Sequence, residues 1–192
     1  MNSRHGGSVG AIRIALFFCM MLFPQAATAQ GGVRYFGSPC GLQPPLGNPK
    51  ILVNGFYTIG NFFSVGVTNM GVVPIQYQCW YGGTAYLFLG ASDQSMGGIP
   101  LPFLLPMSLT QGWPCSVYAS ADFLWGSVPL TAWPPGGNGM SLLIPNDARL
   151  IGQKLFLQWA VLYGTAGLNC LPWPGHLWYL ITSDAAEVTI GR

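Results

Sequence analysis

The sequence predicts an all-β protein: an antiparallel β-sandwich, jelly-roll or immunoglobulin-like, of about seven to nine strands following an N-terminal signal helix. Three observations carry that expectation. Apolar residues alternate with polar or small ones over several short stretches, the period of a strand with one buried face. The 27 glycines and 16 prolines are too many for a helical bundle and mark tight turns between short strands. Helical spacing sustained over about eleven or more residues occurs only near the N-terminus.

The first element is an address. Arg4, His5 and Arg13 give residues 1–29 a positive start, and residues 14–23 are an unbroken apolar run that Pro24 ends. Ala27-Thr28-Ala29 then forms a small-x-small site, with cleavage expected between Ala29 and Gln30. The run is too short to span a bilayer, which takes roughly 20 residues. Membrane contact is expected only through this segment, before cleavage, and the protein is expected to be secreted or held at the cell surface. Beyond it, residues 30–49 read as an irregular, Gly- and Pro-rich arm and residues 50–192 as one β-sandwich domain. Five basic residues (Arg34, Lys50, Arg149, Lys154, Arg192) balance five acidic ones (Asp93, Asp122, Asp147, Asp184, Glu187) after residue 29. A surface with so little net charge favours self-association or docking on another surface. The expected partners are a cell-envelope protein, a polysaccharide or a second copy of the chain.

The strands follow in order. Phe63, Val65 and Val67 alternate with Ser64, Gly66 and Thr68. Residues 84–89 are an apolar strand ended by Gly90. Residues 115–120 alternate Cys115, Val117 and Ala119 with Ser116, Tyr118 and Ser120, and residues 140–144 form a short strand stopped by Pro145. A helical turn capped by Asn146 is expected next. In residues 154–161, Leu155, Leu157, Trp159 and Val161 face one way while Lys154, Phe156, Gln158 and Ala160 face the other. Residues 187–190 make a last strand.

Composition excludes several classes. Hydrophobic residues are 51% of the chain and charged ones 6%, against a usual charged share of about 25%. Disorder needs the opposite balance, and seven scattered Lys and Arg cannot form a nucleic-acid-binding stripe. Cys40, Cys79, Cys115 and Cys170 remain after cleavage, an even count that reads as two disulfides with three open connectivities. Their wide spacing and a single remaining histidine argue against zinc; no metal and no cofactor are expected.

Catalytic constellations are equally sparse. His176 sits in a Pro-Gly-His turn, and no G-x-S-x-G elbow is present. No calcium loop is found. A small hydrolase using Asp147 or Asp122 with His176 is the enzyme alternative, but the expectation is a non-enzyme. Tryptophan is the surplus. Trp113, Trp133 and Trp173 each precede proline, which puts them in extended or turn segments. Exposed there, they would suit protein contacts or stacking on sugars. The expected function is a secreted structural or interaction module presenting these loops; a carbohydrate-binding module using the same three residues is the alternative.

An ordered series of short motifs resembles a known module. Cys40-Gly41, Pro45-Leu46-Gly47, Thr68-Asn69, Leu87-Phe88-Leu89-Gly90, Ile99-Pro100-Leu101-Pro102-Phe103 and Trp113-Pro114-Cys115 come first. Ile144-Pro145-Asn146-Asp147, Leu150-Ile151-Gly152, Gln158 and Ile190-Gly191-Arg192 follow. The series resembles the uncharacterised C-terminal β-sandwich module of predicted secreted proteins of planctomycetes and allied bacteria, over about residues 36–192. The resemblance implies export, the sandwich fold and a Cys40–Cys115 bridge, leaving Cys79 and Cys170 for a second. The Asp-Pro and Asn that usually follow the strand glutamine are replaced here by Trp159-Ala160-Val161-Leu162-Tyr163-Gly164.

Overall fold

The computed structural model describes residues 30–40, 48–68, 80–110, 114–130, 138–166 and 177–192. The signal segment with Ala29, and also Cys79, Cys170, Trp113, Trp133, Trp173 and His176, lie outside the described residues.

The chain is mostly β, built from antiparallel sheets. Strands β1 (Gly32–Phe36), β2 (Lys50–Gly55), β3 (Phe62–Thr68) and β4 (Trp80–Gly90) are followed by four two-residue strands: β5 (Ser95–Met96), β6 (Ile99–Pro100), β7 (Phe103–Leu104) and β8 (Ser116–Val117). β9 (Phe123–Leu130), β10 (Asn138–Leu143), β11 (Lys154–Ala166) and β12 (Leu177–Thr189) complete the order, with a single helical turn α1 (Met107–Thr110) between β7 and β8. Five strands make one sheet in the order β1-β12-β11-β4-β9, and three make another, β10-β3-β2.

Both sheets feed one apolar core. Ile51, Val53, Phe63, Val65, Val67 and Leu142 of the three-stranded sheet are buried together with Ala85, Leu87, Leu157, Trp159, Val161, Ile181 and Val188 of the five-stranded one. The alternation in β3 thus names the buried face; in β11 Leu157, Trp159 and Val161 are buried as expected, but Phe156 and Gln158 on the opposite face are buried too. Trp159 is fully buried, and its indole Nε1–H donates to the Gly66 carbonyl of β3 at 3.0 Å, tying one sheet to the other.

Three expectations are corrected. The arm of residues 30–49 is not irregular throughout: β1 pairs with β12, with Arg34 opposite Glu187 and Tyr35 opposite Ala186. Its pairing and ion contacts lie far away in sequence, so its own composition does not reveal it. Residues 115–120 do not form a full strand. Only Ser116 and Val117 pair, with β7, and the next two N–H groups go elsewhere. Those of Tyr118 and Ala119 donate to Gln158 Oε1 at 2.8 and 3.4 Å, while Gln158 Nε2 donates to the carbonyls of Ser116 and Ser183. The cap of the turn at Ala148–Leu150 is Asp147, not Asn146, because the Asp147 carboxylate accepts from Arg149 N–H.

Gln158 marks a further layer. Residues 116–119, between β4 and β9, lie over the second face of the five-stranded sheet, where Phe156, Ala185 and Ala119 form a second buried cluster flanked by Phe36 and Tyr118. A disulfide between Cys40 and Cys115, with Cα atoms 4.7 Å apart, fastens this cover to the chain following β1.

Candidate functional site

The open surface of interest lies where β4 ends and β9 and β11 begin. Leu89, Gly90, Ala91, Asp122, Phe123, Trp125, Lys154 and Leu155 line a shallow, almost wholly apolar groove of about 350 Å³. That volume is at the lower end of the range of roughly 300–1,000 Å³ typical of small-ligand sites.

Local backbone geometry makes the groove. β9 pairs with β4 so that Leu87 faces Gly126 and Phe88 faces Leu124, leaving Trp125 as one extra residue. Such a bulge at a sheet edge turns a side chain away from the ladder. As a result Phe123, Leu124 and Trp125 are 71%, 55% and 49% exposed. Immediately beyond the bulge the edge closes. A Cβ on Gly126 would meet Met140 Cε of β10 at 2.7 Å, and Asn138 Nδ2 donates to the Pro129 carbonyl at 2.9 Å.

The polar wall is pinned. Asp122 Oδ2 accepts from Ala91 N–H and from Ser120 Oγ–H, both at 2.8 Å. No hydrogen bond among the described residues engages its Oδ1. Ser120 approaches closely because position 90 is glycine: a Cβ there would lie 1.9 Å from the Ser120 carbonyl oxygen. Across the groove, Lys154 Nζ sits 2.9 Å from Glu187 Oε1. Glu187 is buried and also paired with Arg34 Nη2, which reaches Asp93 at 3.4 Å. Burial alone would raise the Glu187 carboxyl, but hydrogen bonds from Lys154 and Arg34 outweigh it and hold the group below its ordinary range.

Of the five acidic side chains, Asp93 and Glu187 share Arg34, and the other three have separate partners. Asp147 is tied to Arg149, whose hydrogen bonds lower its pKa. Asp184 accepts from Ile51 N–H at 2.8 Å; burial pushes its carboxyl up, partly offset by that bond and by Lys50. Asp122 is the only carboxylate lining the groove. Among the described residues no three His, Cys, Asp or Glu side chains are grouped to hold a metal.

Trp113, Trp133 and Trp173, singled out from the sequence, lie outside the described residues, as does His176. Phe123 and Trp125 were not singled out from the sequence. The available signal was three consecutive bulky apolar residues, 123–125, between an aspartate and a glycine, which breaks the alternation of a half-buried strand.

No family model matches the chain, and no curated protein or solved structure matches it either. No helix among the described residues is long and apolar enough to cross a membrane.

Proposed function

We propose that the protein is a secreted, non-catalytic interaction module: an antiparallel β-sandwich, jelly-roll or immunoglobulin-like, that docks at the cell surface or in the extracellular space. The observation that carries this reading is the groove at Phe123–Trp125, where large apolar side chains stand exposed at a bulged strand edge. Folding gains nothing from leaving them in water, so such a patch points to contact with something else. The shared core and the Trp159–Gly66 hydrogen bond support the sandwich. The disulfide supports export, because such bonds persist in oxidising compartments. Asp93 and Glu187 are bridged by Arg34, and Asp122, Asp147 and Asp184 have separate partners, which favours binding over hydrolysis, a reaction that needs two carboxyl groups facing one substrate. The resemblance to the planctomycete secreted module agrees with the same reading.

The test is a pull-down from envelope and extracellular fractions with the purified protein, beside size-exclusion chromatography. Saturable capture that disappears in Trp125→Ala is expected. Capture that is unchanged in that variant, or turnover of any captured material, would sink the reading.

A further inference from the structure

We infer that the groove at Phe123 and Trp125 binds a neutral saccharide. This deepens the proposed function and rests on it.

Charge is the first argument. Among the described residues, the Asp and Lys side chains lining the groove, Asp122 and Lys154, are of opposite sign. The opposite signs cancel, so neither an anionic nor a cationic ligand gains a net attraction there that a neutral one lacks. Hydrogen bonding narrows the class further. Asp122 is held in place through Oδ2 by Ser120 and Ala91, and no hydrogen bond among the described residues takes up Oδ1, an acceptor on an exposed side chain. An acyl chain covering it would desolvate a carboxylate oxygen with no donor in exchange. A hydroxyl supplies that donor.

The rest of the lining suits the carbon faces of a sugar ring. Phe123 and Trp125 offer aromatic surface with a polar indole N–H at one edge, and Leu89 and Leu155 form an aliphatic floor. Addition of a peptide strand to this edge, the main protein-binding alternative, is opposed by the geometry. The bulge interrupts the ladder at Trp125, and Pro129 has no N–H to donate.

The experiment titrates the purified protein with neutral oligosaccharides from cellulose, xylan, mannan and chitin, reading calorimetry and tryptophan fluorescence. Binding of at least one is expected, weakened at least tenfold in both Trp125→Ala and Phe123→Ala, and unaltered in Phe62→Ala on the outer face of the three-stranded sheet. Phe123 is mostly exposed, so its truncation should leave the unfolding midpoint where it was and keep the test valid if Trp125→Ala folds poorly. Absence of binding to every neutral oligosaccharide overturns the inference, as does binding that survives both groove substitutions. If a protein partner is captured instead and lost in Trp125→Ala, the saccharide falls while the interaction module stands. Hydrolysis of a bound oligosaccharide would end both.

Discussion

The two flanks of the molecule, where an edge of the larger sheet meets an edge of the smaller, are finished in different ways. On the β1/β2 flank, side chains take up several groups of the exposed edge of β2. Val53 N–H donates to the Tyr35 hydroxyl at 3.0 Å, Tyr57 donates to the Val53 carbonyl, and Ile51 N–H donates to Asp184. Arg34, Glu187 and Lys154 tie β1 to the sheet beside it. On the β9/β10 flank, Met140 and Asn138 close only the half beyond Gly126. The half before it is bulged, apolar and bare. An unsatisfied strand edge invites pairing with other chains, so the better-covered flank is explained by stability alone. The bare one is not, and this contrast supports the binding role proposed for the groove.

Breaking the closed flank should therefore cost stability. The largest loss is expected from Cys40→Ala with Cys115→Ala, roughly 2–5 kcal/mol, read as a lower urea midpoint; a smaller shift than about 1 kcal/mol would mean the cover is held without the bond. Next comes Glu187→Gln, which leaves Arg34 and Lys154 without their shared buried anion and should cost roughly 1–3 kcal/mol at pH 7. The folded pKa of Glu187 lies below its unfolded value. Its contribution is therefore present above the ordinary glutamate pKa of about 4.3 and lost as pH falls through the folded value. The stability gap between wild type and Glu187→Gln should close on acidification, and a pH-independent gap would refute the ion-pair account.

Asp184→Asn sharpens the contrast with the opposite sign and the smallest effect. Here the folded pKa is raised, so stability is greatest below the ordinary aspartate pKa of about 3.9 and declines as pH rises through the folded value. Asparagine keeps an acceptor for Ile51 N–H without the charge. It should match or slightly exceed wild type at pH 7, by up to about 1 kcal/mol, with the advantage vanishing in acid. Destabilisation at pH 7 would show that the charge itself is needed.

Much of the fold was legible because burial of one face imposes period two. Phe63, Val65 and Val67 are buried as their alternation requires, and so are Leu157, Trp159 and Val161, although Phe156 and Gln158 on the other face of that strand are buried as well. β12 was legible only in its last residues. From Ile181 to Val188 both faces are largely covered, and an extra residue on β12 opposite Trp159, where Ser183 Oγ accepts the Trp159 N–H, interrupts the register. Coverage on both sides erases alternation. The groove was illegible for a related reason. Whether Trp125 is packed or displayed depends on which residue of β4 faces it, a property of pairing between distant segments. Attention to Trp-Pro pairs led instead to Trp113, Trp133 and Trp173.

The Gln158 amide grips only main-chain atoms of the cover: two N–H groups and one carbonyl oxygen within residues 116–119. Nothing in that grip reads the identity of the residues held. The stretch can drift under mutation while the clasp persists, so descendants of this molecule could keep the same architecture yet share no recognisable letters there.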